Sequence, residues 1–459
     1  MQTDGSGSGH AGMADAQLMN TLNATLAANP CDGGAWSTLG LLLRRAGKLD
    51  GAIACHRRGL EFAPENAGIW TNLGNALVEA GRFDEGLVAQ GEARRLDPGN
   101  AAILFNSVVA LRKAGRFKEA LAMIDRAMID QVTIDQTSAG RTSMQGLRWE
   151  RSLIRLQIGD YVHGFGDYEA RRELSAHHGR RLSARAWDGS PLKGRTIFLS
   201  AEQGFGDALL AARYVALVKA QGGRVLYECH PELRRVLSGL DVDTFLPPGA
   251  PPPAFDVEAS QMSLPGLFGT TLASVPPPVG LVIPRESREK AAHRLGAREP
   301  GTLRVGIVWS GRVTFADNSR RATSLARFLR FAEVPGVRLY SLQKGPPETE
   351  LAELGVAGHL VVPLGPDLED FADTAAMVEQ LDLIIMTDSS VAHLAGALGK
   401  PVWNLVQHVP YWIYGISGDH TPWYPTMRLF RQGRDLDWGP VFTAAEAALR
   451  DEVHRRLSR

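Results

Sequence analysis

Cysteine is scarce in this chain of 459 residues: Cys31, Cys55 and Cys229 are its only three, scattered and without C-x-x-C spacing. An odd, dispersed set of thiols excludes both a disulfide framework and a zinc site of the usual ligand spacing, and fits a reducing cytoplasm. Net charge is also lacking, with 50 Lys plus Arg against 50 Asp plus Glu. No global field therefore recruits nucleic acid or an anionic membrane, although a local basic site is compatible with a neutral whole. No run approaches the roughly 18 apolar residues of a membrane span. The first residues lack the basic and apolar regions of a signal peptide. A cytoplasmic protein that is not integral to the membrane is expected. No cluster of His, Cys, Asp and Glu has ligand spacing, so neither a metal nor a cofactor is expected. What is present, 44% hydrophobic and 22% charged residues, is the composition of globular domains. At this length two to four structural units are expected.

The N-terminal part repeats itself. Trp36 and Trp70, Leu39 and Leu73, Gly40 and Gly74, Gly47 and Gly81, and Pro64 and Pro98 are each 34 residues apart. Leu104, Leu111, Gly115, Ala120 and Ala127 continue the register without the Trp, and Trp149, Leu153, Gly159, Asp160, Tyr161 and Tyr168 suggest a fourth, irregular unit. A period of 34 with Trp-x-x-Leu-Gly opening each unit is that of stacked tetratricopeptide helix pairs, whose concave face commonly holds a partner protein. Residues 14–180 are assigned to these repeats, after a Gly/Ser-rich tail at 1–13 expected to be disordered.

After Trp187 the period changes. Thr196–Ala201 reads as a buried strand, Asp207–Gln221 as a helix and Arg224–Glu228 as the next strand, an alternation that implies a parallel sheet. Pro-rich turns at 247–248, 251–253 and 276–278 punctuate this domain, placed at 185–285. A polar helical stretch, 286–298, leads to a second start at 303–309. Further strands at 337–342, 360–363, 381–387 and 402–405 give a second α/β domain, 300–459, whose last helix, 443–457, is expected to pack back across the hinge.

The most informative stretch is Asp388-Ser389-Ser390-Val391-Ala392-His393-Leu394-Ala395-Gly396-Ala397-Leu398-Gly399-Lys400-Pro401. An apolar strand stops at Asp388 and a small-residue helix begins with His393 in its first turn. Unpaired N–H groups and a partial positive charge at such a terminus suit an anion, and Ser389, Ser390 and His393 add donors. Asp or Ser at an N-cap also needs no ligand. Gly204-Phe205-Gly206-Asp207 lies between the first strand of the α/β region and its helix, where open parallel sheets bind ligands. As a G-x-G-x-x-G fingerprint it fails at Leu209, while Glu228, ending the second strand, leaves a dinucleotide site as the lesser alternative. Gln343 and Lys344 follow the strand ending at 342, and Arg320 and Arg321 follow the 303–309 strand. Cations at such edges suit phosphate, although a solvated Lys or Arg is unremarkable alone. His408, Tyr411 and Trp412 follow a buried strand and could overhang the same cleft or simply pack the loop. The segment 421–430 is assigned to structure first and to acceptor contact second.

The Asp388 to Val402 segment resembles the donor-site motif of glycosyltransferase family nine, the ADP-heptose:lipopolysaccharide heptosyltransferase group, particularly its tetratricopeptide-bearing relatives. That resemblance implies a GT-B fold of two facing Rossmann-like domains after the helical solenoid. It implies sugar transfer from a nucleotide-diphosphate donor, with inversion and no metal. The matching Gly204 to Asp207 loop makes Asp207 the general base, with Glu202 in reserve and Gly204 and Gly206 lining the cleft. Asp388, Ser389, Ser390, His393, Gln343, Lys344, Arg320 and Arg321 would hold the donor. O-GlcNAc transferase is similar in placing a Lys near its donor phosphates after a comparable strand. Relatives usually read Trp-x-Gly-Asn-Pro where this chain has Trp309-Ser310-Gly311-Arg312-Val313, which bears on donor identity. The repeats would recruit a protein acceptor, such as flagellin or another surface protein. A saccharide or lipid-linked acceptor, a sugar-nucleotide epimerase, and an adaptor that binds a nucleotide sugar without turning it over are the alternatives.

Overall fold

The computed structural model describes residues 6–129, 138–174, 185–202, 204–315 and 317–457. The expected end of the repeats at residue 180 lies outside the described residues. The chain divides into two compact units, Met1–Ile154 and Arg155–Arg459.

Among the described residues the regular elements of the first unit are helices: α1 (Ser6–Ala28), α2 (Gly33–Arg45), α3 (Leu49–Phe62), α4 (Ala67–Glu79), α5 (Phe83–Leu96), α6 (Ala101–Lys113), α7 (Phe117–Ile129) and α8 (Ser138–Gln157), the last of which runs on into the second unit. The 34-residue period recurs as repeated physical devices. Asp32, Asn66 and Asn100 each cap a helix by accepting a backbone N–H, from Ala35, Ile69 and Ala102 at 2.8, 3.1 and 3.0 Å. The Trp36 and Trp70 indoles donate to the carbonyls of Pro30 and Pro64 at 2.9 and 2.8 Å, tying each helix to the chain before it. Gly47, Gly81 and Gly115 hold φ of 72, 77 and 73°, a left-handed turn between the helices of each pair that favours glycine. Ala52, Leu60, Ile69, Leu73 and Leu77 form one core of the stack, and Val108, Leu111, Ile124, Leu147 and Ile154 another. Helix α1 starts at Ser6, inside the stretch expected to be a tail.

The second unit begins with α9 (Tyr161–Tyr168) and contains two all-parallel sheets. The first comprises β1 (Arg185–Ala186), β2 (Thr196–Ser200), β3 (Arg224–Glu228), β4 (Thr244–Leu246) and β5 (Val257–Ser260), in the order β1-β5-β2-β3-β4. Its helices are α10 (Phe205–Ala211), α11 (Val215–Lys219) and α12 (Leu264–Leu267). The helix expected over 207–221 is thus broken by a tighter turn at Ala212–Tyr214. Next, α13 (Arg285–Leu295) leads to β6 (Leu303–Val308), α14 (Asn318–Arg321) and α15 (Leu325–Phe328). Then come β7 (Val337–Ser341), α16 (Glu350–Glu353), β8 (Val361–Pro363), α17 (Phe371–Gln380) and β9 (Leu383–Thr387). The chain closes with α18 (Ser390–Ala397), β10 (Val402–Val406), β11 (Met427–Arg431) and α19 (Gly439–Leu457), the second sheet running β11-β10-β9-β6-β7-β8.

Strands buried on both faces read as continuous apolar runs, and β6 and β9 are buried at every residue. Two Rossmann-like sheets therefore follow the helical repeats. Helix α19 does not cross the hinge as expected. Val441, Phe442, Ala445 and Leu449 fill the second sheet's own core against Phe328 and Phe331, because that face of the sheet would otherwise lie open. Burying each such aromatic or aliphatic side chain contributes about 1.5–3 kcal/mol. Among the described residues no helix is long and apolar enough to cross a membrane.

Candidate functional site

Ligands of open parallel sheets bind beyond the carboxyl ends of the strands. Here the loop after β2 faces the loop after β9. Asp207, in the first turn of α10, turns one carboxylate oxygen, Oδ2, back to the Gly204 N–H at 3.1 Å. The other, Oδ1, accepts the Tyr411 hydroxyl at 2.7 Å, a bond from the loop after β10 of the second sheet. Gly206 lies directly against His393 of α18, since a Cβ there would fall 2.9 Å from Cδ2 and 3.1 Å from Nε2 of the imidazole. Proposed base and proposed diphosphate seat are thereby brought together across the two sheets.

The electrostatics are those of a site closed in by protein. Asp207 is half-buried, and its surroundings push its carboxyl above the ordinary value although the Tyr411 and Gly204 hydrogen bonds pull it down. His393 is 4% exposed, and burial drives its imidazole down to about 4, so it is neutral near pH 7. Its Nδ1 lies 3.1 Å from the Tyr424 hydroxyl.

At the tip of α18, Ser389 is the N-cap, yet its side chain makes no cap bond. Its hydroxyl is buried without a hydrogen-bond partner, as is that of Thr387. Such groups cost about 1–3 kcal/mol when left unsatisfied, and the first N–H groups of a helix have no acceptor within the helix itself. Asp388 accepts the Tyr414 hydroxyl at 2.8 Å and lies 3.6 Å from Arg321. Arg321 stacks on Phe315 with its guanidinium carbon 4.6 Å from the ring centroid, so one member of the basic pair reaches the helix tip. Arg320 is half-buried on the same short helix, α14.

The remaining sequence candidates are held by contacts within the protein. Gln343 is buried with its amide engaged: Oε1 accepts the Trp309 and Ser310 N–H groups at 3.1 and 3.0 Å, and Nε2 donates to the Ser310 and Lys344 carbonyls. It staples the end of β6 to β7. Lys344 is exposed, and its ammonium donates 2.8 Å to the Gly365 carbonyl, on the β8 side of β7 and two strands away from β9. Glu202 is buried in an ion pair with Arg171 at 2.7 Å, and Arg171 also donates to Glu169 and Ser263 at 2.8 and 2.9 Å. Trp412 is 1% exposed and packed edge-on against Tyr161, Phe165 and Trp423. His408 is half-buried, its backbone N–H donating to Gln432 at 3.2 Å. Sequence reasoning did not single out Arg213 or Tyr414 and reached Tyr424 only as part of the 421–430 segment; the aromatic-rich 411–424 stretch was the signal available for the tyrosines.

A family model described as TPR repeat matches residues 40–81. The chain is 27% identical over 334 residues to Protein FlbA of Caulobacter vibrioides, a match covering 66% of this chain and 55% of that protein. The chain thus spans about half the length of this curated relative. Among solved structures, a glycosyl transferase family 9 protein from Veillonella parvula is similar at 12% identity and a TM-score of 0.45, covering 58% of this chain and 100% of that one. The ADP-heptose LPS heptosyltransferase II of E. coli is similar at 11% identity and a TM-score of 0.40, covering 56% and 99%. The chain joins TPR repeats to two Rossmann-like sheets, and family nine glycosyltransferases are among its structural neighbours.

Proposed function

We propose that the protein is a glycosyltransferase that moves a sugar from a nucleotide-diphosphate donor to an acceptor hydroxyl, with inversion at the anomeric carbon. The observation that carries this reading is the apposition of Asp207 and Gly206 on the first sheet with His393 and the tip of α18 on the second. In the transfer, the acceptor O–H gives its proton to the Asp207 carboxylate as its oxygen bonds to the anomeric carbon. The carbon–oxygen bond to the diphosphate breaks, and the leaving group keeps the electron pair. A carboxyl raised by its enclosure is a stronger base than a solvated one, which suits the proton transfer. Charge developing on the diphosphate meets the N–H groups of α18, the Ser389 and Ser390 hydroxyls, the imidazole and Arg321. These donors make the reaction metal-independent in this proposal, so turnover persists in chelator. The repeats recruit a protein acceptor in the cytoplasm, a role supported by the stacked TPR helices.

The test is donor consumption by the purified chain across a panel of nucleotide-diphosphate sugars, after ranking the panel by thermal stabilisation. Asp207→Asn is expected to abolish turnover while keeping donor binding. A fully active Asp207→Asn variant overturns the assignment of the base.

A further inference from the structure

Tyr424 is fully buried, and among the described residues the His393 Nδ1, 3.1 Å away, is the one group recorded within hydrogen-bond distance that could accept from its hydroxyl. A buried O–H rarely goes without an acceptor. Arg213 lies beside it, 5% exposed, with its guanidinium carbon 5.0 Å from the Tyr424 ring centroid and 5.0 Å from that of Trp423. Its Nε donates to the Leu210 carbonyl and its Nη1 to those of Pro276 and Trp423. Its Nη2 has neither a carbonyl nor a carboxylate partner among the described residues, so its charge and N–H bear on the Tyr424 hydroxyl. A cation next to a phenol strengthens the phenol as a donor and opposes a second positive charge on the neighbouring imidazole.

An imidazole whose Nδ1 accepts a hydrogen bond, and which stays neutral, must carry its proton on Nε2. That edge of His393 faces the space a side chain on Gly206 would fill. We infer that Tyr424 and Arg213 are positioning residues that fix His393 as the Nε2–H tautomer, so that it presents a hydrogen-bond donor, and not a base, to a phosphoryl oxygen between Gly206 and the tip of α18. The phosphoryl ligand rests on the function proposed above; the tautomer does not. Asp207 is thus left as the group that takes a proton, while His393 stabilises charge on the departing oxygen without titrating.

The experiment is nitrogen NMR of the full chain labelled with [15N]histidine, the His393 signals being identified by their loss in His393→Gln. The expected pattern is a pyrrole-type Nε2 and a pyridine-type Nδ1, moving towards a tautomeric mixture in Tyr424→Phe, with kcat for donor turnover falling about tenfold, the weight of one hydrogen bond. An Nδ1–H pattern in the unaltered chain overturns the inference, and so does a Tyr424→Phe spectrum identical to it. The spectrum of the unaltered chain decides alone if Tyr424→Phe does not fold. If no nucleotide sugar is consumed yet the Nε2–H pattern holds, the transferase reading fails and the tautomer assignment stands.

Discussion

Gly206→Val probes the apposition of the two sheets directly. A Cβ on residue 206 would sit 2.9 Å from His393 Cδ2, about 0.6 Å inside an ordinary carbon–carbon contact of roughly 3.5 Å. The two γ-methyls of Val deepen the overlap. The imidazole cannot retreat freely, because its Nδ1 is bonded to Tyr424, and Tyr424 itself presses on Gly396, where a Cβ would fall 2.6 Å from Cδ1 and Cγ of the ring. Overpacking of this kind costs about 1–3 kcal/mol, and the gain from replacing Gly by Val in a helical turn is only a few tenths. A net loss of about 2 kcal/mol is expected in the calorimetric transition of the α/β unit, together with a fall in donor turnover as His393 is displaced. Gly204→Ser is the control: a Cβ there meets only the Asp207 Oδ2, at 3.8 Å, and Ser suits the N-cap of α10, so its stability should change by less than about 0.5 kcal/mol. If Gly206→Val matches this control in both stability and turnover, α10 and α18 do not meet as described, and the site across the two sheets is refuted.

Asp207→Asn should be more stable than the unaltered chain at neutral pH. A carboxyl whose folded pKa is raised above its unfolded value destabilises the fold once pH exceeds the unfolded value, and does not do so below it. The advantage of Asn is therefore expected at pH 7 and should fade as pH falls towards the ordinary value of 3.8; urea unfolding at pH 7 and pH 4.5 measures it. Tyr411→Phe removes the donor that favours the ionised carboxylate, a charge-assisted bond worth about 1.5–3 kcal/mol, so the acid limb of the pH–rate profile should move to higher pH; an unmoved limb separates Tyr411 from the base. Trp412→Ala should lower stability by about 3–5 kcal/mol, as expected for a fully buried indole. Unchanged stability with lost donor affinity would make Trp412 a ligand contact.

The repeats were legible in the sequence because each 34-residue unit reuses the same local chemistry, and the strands because burial on both faces leaves uninterrupted apolar runs such as Leu383–Thr387. Of the proposed site, the sequence pointed only to the parts that are local. Gly204 to Asp207 and Asp388 to His393 each sit at a strand-to-helix turn, and their placement follows from the topology of any open parallel sheet. Contacts spanning hundreds of residues leave no period in the sequence. Tyr411 binds Asp207 across 204 positions, and the Trp423 indole donates to the Tyr161 hydroxyl across 262. The same reason explains why Tyr161 and Tyr168 read as parts of a fourth repeat. Their helix has the amphipathic spacing of the preceding ones, but α9 packs its Tyr161 and Phe165 on Trp412, and the following turn sends Arg171 into Glu202 and Ser263 beside the first sheet. Periodicity shows that a helix has an apolar face; only the partner chemistry at 202, 263 and 412 decides what that face meets. The aromatic wedge is therefore part of the site's support. By seating Trp412 it fixes the loop from which Tyr411 reaches Asp207, so the geometry of the proposed base depends on residues that touch no ligand.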